Sequence, residues 1–441
     1  LYVRGQQDDY NQWAQLGNIG WGYDDILPYF KKSEFKENGD EKYRGKSGPL
    51  FVSDIVEKHP LCEEFIESSK EIGVSIQEDY NAGNQEGIFY YQRTIKNGAR
   101  FSAYDAFLKP AMKRKNVEVR TNTTVLKIIF KNKKAIGLLC EKNKKQFKIF
   151  ANKEIILCAG AIGTPHLLQV SGVGNSNYLK KIGVPLIHEN KSIGEGLQDH
   201  YAVRVSNSIK FPITLNEKAH GYKLFFEIMK WFVFKKGLIS YSPAHVGAFL
   251  RSSSEIDLPD LQFVFTPASY TEGMIGKLQN IPGITCGVWQ SRPQSRGYIR
   301  ALTNNIKDDP LIQPNYLKET IDQDILIKGV RMCRDLLKTS NMKKISISET
   351  LPGDNIKTDN EILNFVKNNG ATVYHAIGSC RMGVDKDSVV GPNLKLNGIK
   401  GLRIADASIM PTMPSGNTNA ATMMVAEKAS DLIKKDLKGF I

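Results

Sequence analysis

The chain of 441 residues contains only six cysteines and seven histidines. Cys62, Cys140, Cys158, Cys286, Cys333 and Cys380 form no CxxC pair, and their spacing matches neither a zinc cluster nor a disulfide framework. Buried thiols are therefore expected. No two histidines stand four residues apart, and no metal site is expected. A G-x-S-x-G elbow is absent, which removes the support for a serine hydrolase. No apolar run approaches the roughly 20 residues a membrane span needs, so no integral membrane segment is expected, nor a signal peptide within the chain. Residues 224–234 (LFFEIMKWFVF) are the most apolar stretch, interrupted by Glu227 and Lys230. They read as an amphipathic helix, with burial against its own domain the favoured role and a membrane-surface or interface face the alternative.

Net charge is +14, with lysines scattered in short runs at turns and helix ends. No basic stripe is interleaved with aromatic residues, so no nucleic-acid partner is expected. Length favours two domains, or one with a large insertion.

The first 22 residues, rich in aromatics and broken by Gly17, Gly20 and Gly22, read as an irregular cover, and a helix follows from Tyr23. Residues 117–120, 123–130, 135–141 and 146–150 are β-rich runs separated by lysine–asparagine turns. Residues 154–159 form a continuous apolar run that suits a strand buried on both faces of a parallel sheet. Gly160 ends it, and Thr164-Pro165 reads as the cap and first turn of a helix. Strand, glycine turn and helix N-terminus together form a crevice of the kind in which α/β folds hold cofactors. The pattern recurs near the C-terminus: an apolar run at 402–405 ends at Asp406, a polar loop follows, and Asn419 caps a helix over 420–435. Residues 205–365 mix strands (261–265, 297–301) with a helix (322–337) and read as an inserted domain.

Candidate chemistry is sparse. The stretches GVGNSN and GEGLQD each lack the third glycine of a dinucleotide fingerprint and read as turns. His200 and His245 read as hydrogen-bonded structural histidines. His375, in ATVYHAIGSC, titrates near neutrality and can act as a general base, and Asn417 can hold the same oxygen without competing for its proton. From the residues alone, a base and a structural histidine both stand open.

Longer motifs narrow the choice. GARFSAYDAFLKPA (98–111), GAIGTPHLLQVSGVG (160–174), SIGEGLQDH (192–200), QSRGYIRAL (294–302) and the stretch from HAIGSCRMG through IADASIMPTMPSGNTNAATMMVAEKASDLI resemble, in order, the glucose–methanol–choline (GMC) oxidoreductases, with the insect glucose-dehydrogenase-like branch nearest. Gly196 stands where the family usually has Asn.

The resemblance implies an α/β, Rossmann-like FAD-binding domain and an α+β substrate domain with an antiparallel sheet. It divides the chain into residues 1–204 (flavin cover and FAD-domain strands), 205–291 (substrate-domain insertion) and 292–436 (substrate domain, then return to the FAD domain). It implies hydride transfer from an alcohol or sugar to flavin N5, with His375 as base, Asn417 on the substrate oxygen, and quinone or oxygen as electron acceptor. It places Val125 at the adenine, Gly160 beside the cofactor, Asp406 and Ala407 at the phosphates and ribityl chain, and Thr418 and Asn419 at the isoalloxazine. A secreted location is also implied. A catalytically silent relative or fragment and a hydroxynitrile lyase on the same scaffold are the alternatives. The family's glycine fingerprint would precede Leu1, so the expectation is an N-terminally incomplete chain that holds FAD weakly or not at all.

Overall fold

The computed structural model describes residues 1–242, 244–271 and 277–438. Its largest element is an antiparallel sheet. The strands run in the order Ser346–Leu351, Tyr201–Ile209, Gly283–Gln290, Leu261–Thr266, Val246–Leu250 and Gly87–Tyr90, and Ala371–Thr372 also pairs with Tyr201–Ile209. The sheet crosses the boundaries at 204/205 and 291/292, because strands of one hydrogen-bonded layer come from either side of both. Every residue of Gly283–Gln290 is buried. Helix Thr320–Leu337 covers one face, and Gly329 lets it sit close: a Cβ there would stand 3.0 Å from Val288 and 3.2 Å from Leu261. Helices Pro60–Ser69 and Asp359–Asn369 complete this core.

The second core holds the α/β portion. Strand Ile155–Leu157 pairs in parallel with Leu402–Ile404, and helix Gly160–Val170 follows the first of them. The sequence suggested a strand buried on both faces, but Ile156 is exposed because its side of this two-stranded sheet is uncovered. The meander of Thr124–Lys131, Lys134–Lys142 and Lys145–Phe150 packs alongside. Its tight turns put Asn132-Lys133 and Asn143-Lys144 at positive φ, the geometry two-residue hairpins require. Residues 117–120 form no strand. Their alternation of apolar and polar residues finds no partner to pair with.

Two further readings are corrected. The opening segment contains a regular helix, Gln7–Gln15, whose Tyr10 and Trp13 are buried in this core. Helix Gly221–Phe234 forms as expected but has no buried residue, so it is not packed into its own domain as an amphipathic helix would be. Among the described residues no helix is long and apolar enough to cross a membrane.

The first residues are held by a buried ion cluster. Glu34 receives a two-pronged contact from Arg44 (2.9 and 3.0 Å), a contact from Arg4 (2.6 Å) and the Gly45 N–H (2.8 Å). Burial alone would raise its pKa; the Arg4 charge and the Arg44 hydrogen bonds outweigh that and hold it below the ordinary 4.5. Replacing Arg44 by Met removes most of this compensation and is expected to destabilise the protein by about 3–5 kcal/mol at neutral pH. A carboxylate with a depressed folded pKa stabilises above its unfolded value and loses that contribution as pH falls through the folded one. Urea unfolding of both proteins should therefore show the deficit narrowing below pH 4.5.

Candidate active site

Neighbouring strand ends of the large sheet converge on His375. His200 immediately precedes Tyr201–Ile209, and Ser291 immediately follows Gly283–Gln290. Gln262 and Trp289 are directly opposed across their strands and so share a face, and Tyr91 follows Gly87–Tyr90. The Trp289 ring lies 6.2 Å from both the His200 and the His375 rings.

The turn carrying His375 is set by Asp199. One carboxylate oxygen accepts the His375 N–H (2.8 Å), and the other accepts the hydroxyls of Thr372 and Tyr316 (both 2.5 Å). Tyr374 takes a left-handed backbone, φ 63°, which costs a non-glycine residue about 1–2 kcal/mol. The result turns His375 into the interior while the Tyr374 side chain faces solvent.

Asn417 comes from the loop before helix Thr418–Lys438. That loop is tied down by Asp9, whose buried carboxylate accepts from Ser415 N–H (2.7 Å), Ser415 Oγ (2.8 Å), Gln6 N–H (2.7 Å) and Arg292 Nε (2.8 Å). The helix starts at Thr418, two residues before the expected 420, so Asn419 lies in its first turn instead of capping it. Asn417 then stands next to the helix start and faces the histidine.

The hydrogen bonds around His375 have fixed directions. A carbonyl can only accept, so His200 Nε2, 2.8 Å from Ser291 O, carries the proton. Burial lowers the pKa of His200 even though the Ser291 carbonyl favours its charged form, so the ring is neutral and its Nδ1 is an acceptor. His375 Nδ1, 2.9 Å away, must then donate. The other end agrees. Tyr91 donates to Phe263 O (2.9 Å) and accepts from Gln262 Nε2 (2.8 Å), which also donates to Asn417 Oδ1 (3.3 Å). With its oxygen so occupied, Asn417 presents Nδ2 to His375 Nε2 at 3.0 Å. His375 therefore carries its proton on Nδ1 and a lone pair on Nε2. Burial, then the neighbouring His200, push its pKa well below 6.5, so the basic form persists at neutral pH.

The other expected residues lie along a connected strip. Asp406 Oδ2 accepts from the Gly160 N–H (3.0 Å) and Thr164 Oγ1 (2.6 Å), and Oδ1 accepts from the Ser408 N–H (2.9 Å) and hydroxyl (2.5 Å). Its carboxylate thus joins the two parallel strand ends, and Thr164 serves this bond within helix Gly160–Val170 where a cap had been read. Pro165 cannot donate to the Ala161 carbonyl four residues back; the Ser379 hydroxyl does so instead, at 2.5 Å. That bond couples the glycine turn to the His375 segment, and Gly378 N–H to Ala407 O (3.3 Å) and Cys380 N–H to Ser408 O (2.9 Å) tie the same segment to the residues after Asp406. Val125 is half-buried in the meander, which reaches the same helix through Ile128 N–H to Ser171 Oγ at 2.9 Å. Cys380 is buried and its thiol pKa is pushed up by burial, so it is no nucleophile. His245 is buried apart from this network, its pKa lowered to about 4 by burial and the nearby His59.

These residues fit a flavin dinucleotide. At the strand end, Ala159 is exposed and a Cβ on Gly160 would meet nothing within 4 Å, which leaves room for a ligand against the turn. Along the strip Asn419 is exposed and Ala407 half-buried, and the start of a 21-residue helix favours negative charge there. Beside the histidine, Gln262 Oε1 and Trp289 Nε1 are buried with no partner among the described residues, a hydrogen-bonding capacity that a polar ligand can meet.

Sequence reasoning put forward His375 and Asn417, which the structure brings to 3.0 Å of each other, but did not point to Asp9, Asp199, Gln262 or Ser291, and left His200 as a structural residue. Only the LQDH stretch offered a signal, since it places Asp199 and His200 side by side.

Comparison with known proteins agrees with this architecture. Human mitochondrial choline dehydrogenase is 36% identical over 437 residues, spanning 98% of this chain and 73% of that protein. The alcohol dehydrogenase [acceptor] of Pseudomonas putida is also 36% identical, over 98% of this chain and 79% of the relative. Among solved structures, an FAD-dependent oxidoreductase from Chaetomium thermophilum superposes with a TM-score of 0.90 at 25% identity, covering 99% of this chain and 84% of the other. The GMC oxidoreductase family profiles match residues 1–202 and 293–426, on either side of the sheet strands that place Gln262, Trp289 and Ser291 beside His375, and the chain belongs to that family.

Proposed function

We propose that the protein is an FAD-dependent oxidoreductase that oxidises the CH–OH group of a small alcohol or sugar, glucose among the candidates, with His375 as general base. The observation that supports this most is the lone pair fixed on His375 Nε2, directly opposite the amide N–H of Asn417. A substrate hydroxyl entering between them accepts from Asn417 Nδ2 and donates to His375 Nε2. Both partners are then satisfied, and the proton that must leave the alcohol points at a neutral base. When bound, FAD supplies the hydride acceptor at N5. His375 removes the hydroxyl proton, and Asn417 orients the oxygen. Asp199 and Asp9 keep the two side chains in register. The terminal acceptor in this reading is a quinone or oxygen. Resemblance to the insect branch supports an extracellular site of action.

His200 is a positioning residue: it acts through His375 by accepting the Nδ1 proton. The sequence alone left it in the structural class, and the double-histidine contact supports this further role.

With FAD supplied in excess and an artificial electron acceptor, replacing His375 by Ala should lower kcat by about 10²–10⁴-fold while flavin binding is retained. Unchanged turnover would sink the assignment. For His200, Gln keeps an acceptor oxygen and a donor N–H in one side chain, whereas Leu has neither. His200→Leu is expected to lose about 10–100-fold in kcat with little change in KM, and His200→Gln to recover most of it. Equal activity of the two variants would contradict the positioning role. The pH profile follows from sign: a base whose pKa is depressed stays active below 6.5, so the acid limb of kcat/KM should lie below that value.

A further inference from the structure

Helix Gly221–Phe234 is turned inside out. Its polar and indole groups hold it to the protein: Lys230 pairs with Glu57 at 2.7 Å, Glu227 accepts the Leu238 N–H at 2.7 Å, and Trp231 Nε1 donates to Gly98 O at 2.7 Å. The opposite face carries Tyr222, Phe225, Phe226, Met229, Phe232 and Val233, each between 44 and 72% exposed. Successive helical residues are about 100° apart, which gathers these six into one stripe roughly 120° wide. Single exposed apolar side chains are ordinary, but a continuous stripe containing four aromatic rings marks an interaction surface. Phe211 and Ile213, on the segment leading into the helix, are exposed as well.

Charge identifies the partner. Residues 210–236 hold six lysines and two glutamates. Both glutamates are engaged internally, Glu227 as above and Glu217 by the Thr214 hydroxyl at 2.8 Å. Lys223, Lys235 and Lys236 are exposed beside the stripe. In a symmetric pair of chains the same basic patch would meet itself, which like-charge repulsion disfavours. An anionic bilayer complements both features, since aromatic rings settle below the headgroups and lysines pair with phosphate and carboxylate at their level. We propose that this helix lies flat on an anionic lipid surface and docks the enzyme there peripherally.

Flotation of the purified protein with vesicles of phosphatidylcholine containing about a third phosphatidylserine tests this. The protein should rise with these vesicles and bind pure phosphatidylcholine at least about tenfold more weakly. The triple variant F225S/F226S/F232S, altered only at exposed positions, should lose binding about tenfold or more with turnover of a soluble substrate and acceptor unchanged. K223E/K236E should weaken binding to anionic vesicles selectively. Failure of the wild-type protein to bind anionic vesicles, equal binding to both lipids, or binding undiminished in the triple variant would each overturn the proposal. So would light scattering showing a wild-type dimer that the triple variant converts to monomer, because the stripe would then be covered by a second copy.

Discussion

Two backbone carbonyls set the chemistry of this site. Ser291 O and Phe263 O can only accept, and each lies at the end of a short chain of hydrogen bonds leading to His375. From one side the proton is forced onto His200 Nε2 and then onto His375 Nδ1. From the other it is forced through Tyr91, Gln262 and the Asn417 amide. Both chains leave the same atom, His375 Nε2, as the acceptor. Reversing any one bond would leave a buried donor facing a donor, at a cost of about 1–3 kcal/mol or more. The tautomer is therefore a property of the sheet and not of the histidine alone.

That constraint explains why the fold is arranged as it is around the site. Both carbonyls, together with Gln262 and Trp289, belong to adjacent strand ends of the antiparallel sheet, so their spacing is fixed by strand pairing. The two catalytic candidates instead sit on loops: His375 on the turn that leaves the short sheet strand Ala371–Thr372, and Asn417 on the loop before helix Thr418–Lys438. A loop residue holds position only if something rigid grips its backbone, and a buried carboxylate does this in each case. Asp199 grips the turn at His375, and Asp9 grips the loop at Asn417. A third, Asp406, locks the parallel strand ends to the glycine turn and thereby the cofactor strip to the same loops. Sheet, carboxylate clamp and loop form one device.

Much of this was legible in the sequence wherever a local pattern carries the information. The helices at Tyr23–Ser33 and Thr320–Leu337, the hairpin strands around 124–150, and the strand ends at Gly160 and Asp406 follow from periodicity, turn residues and short apolar runs. His375 and Asn417 followed from long motifs. The clamps did not, because a buried aspartate looks like a surface aspartate until its partners, up to 406 residues away, are known. Thr164 was read as a cap when it serves Asp406, and the helix start at Thr418 was read two residues late, since both depend on contacts made across the fold. The helix at 221–234 misled for a different reason. Amphipathicity reports that a helix has an apolar face but not that the face must turn inward, and here three polar contacts decide its orientation.

The claim on which the account rests is the placement of one proton. Nitrogen-15 NMR of the protein labelled at its histidine rings, with His375 assigned by substitution, reads it directly at neutral pH. The account predicts a neutral ring with a protonated, pyrrole-like Nδ1 and an unprotonated, pyridine-like Nε2. A proton on Nε2, whether in the opposite tautomer or in a fully protonated ring, would contradict it.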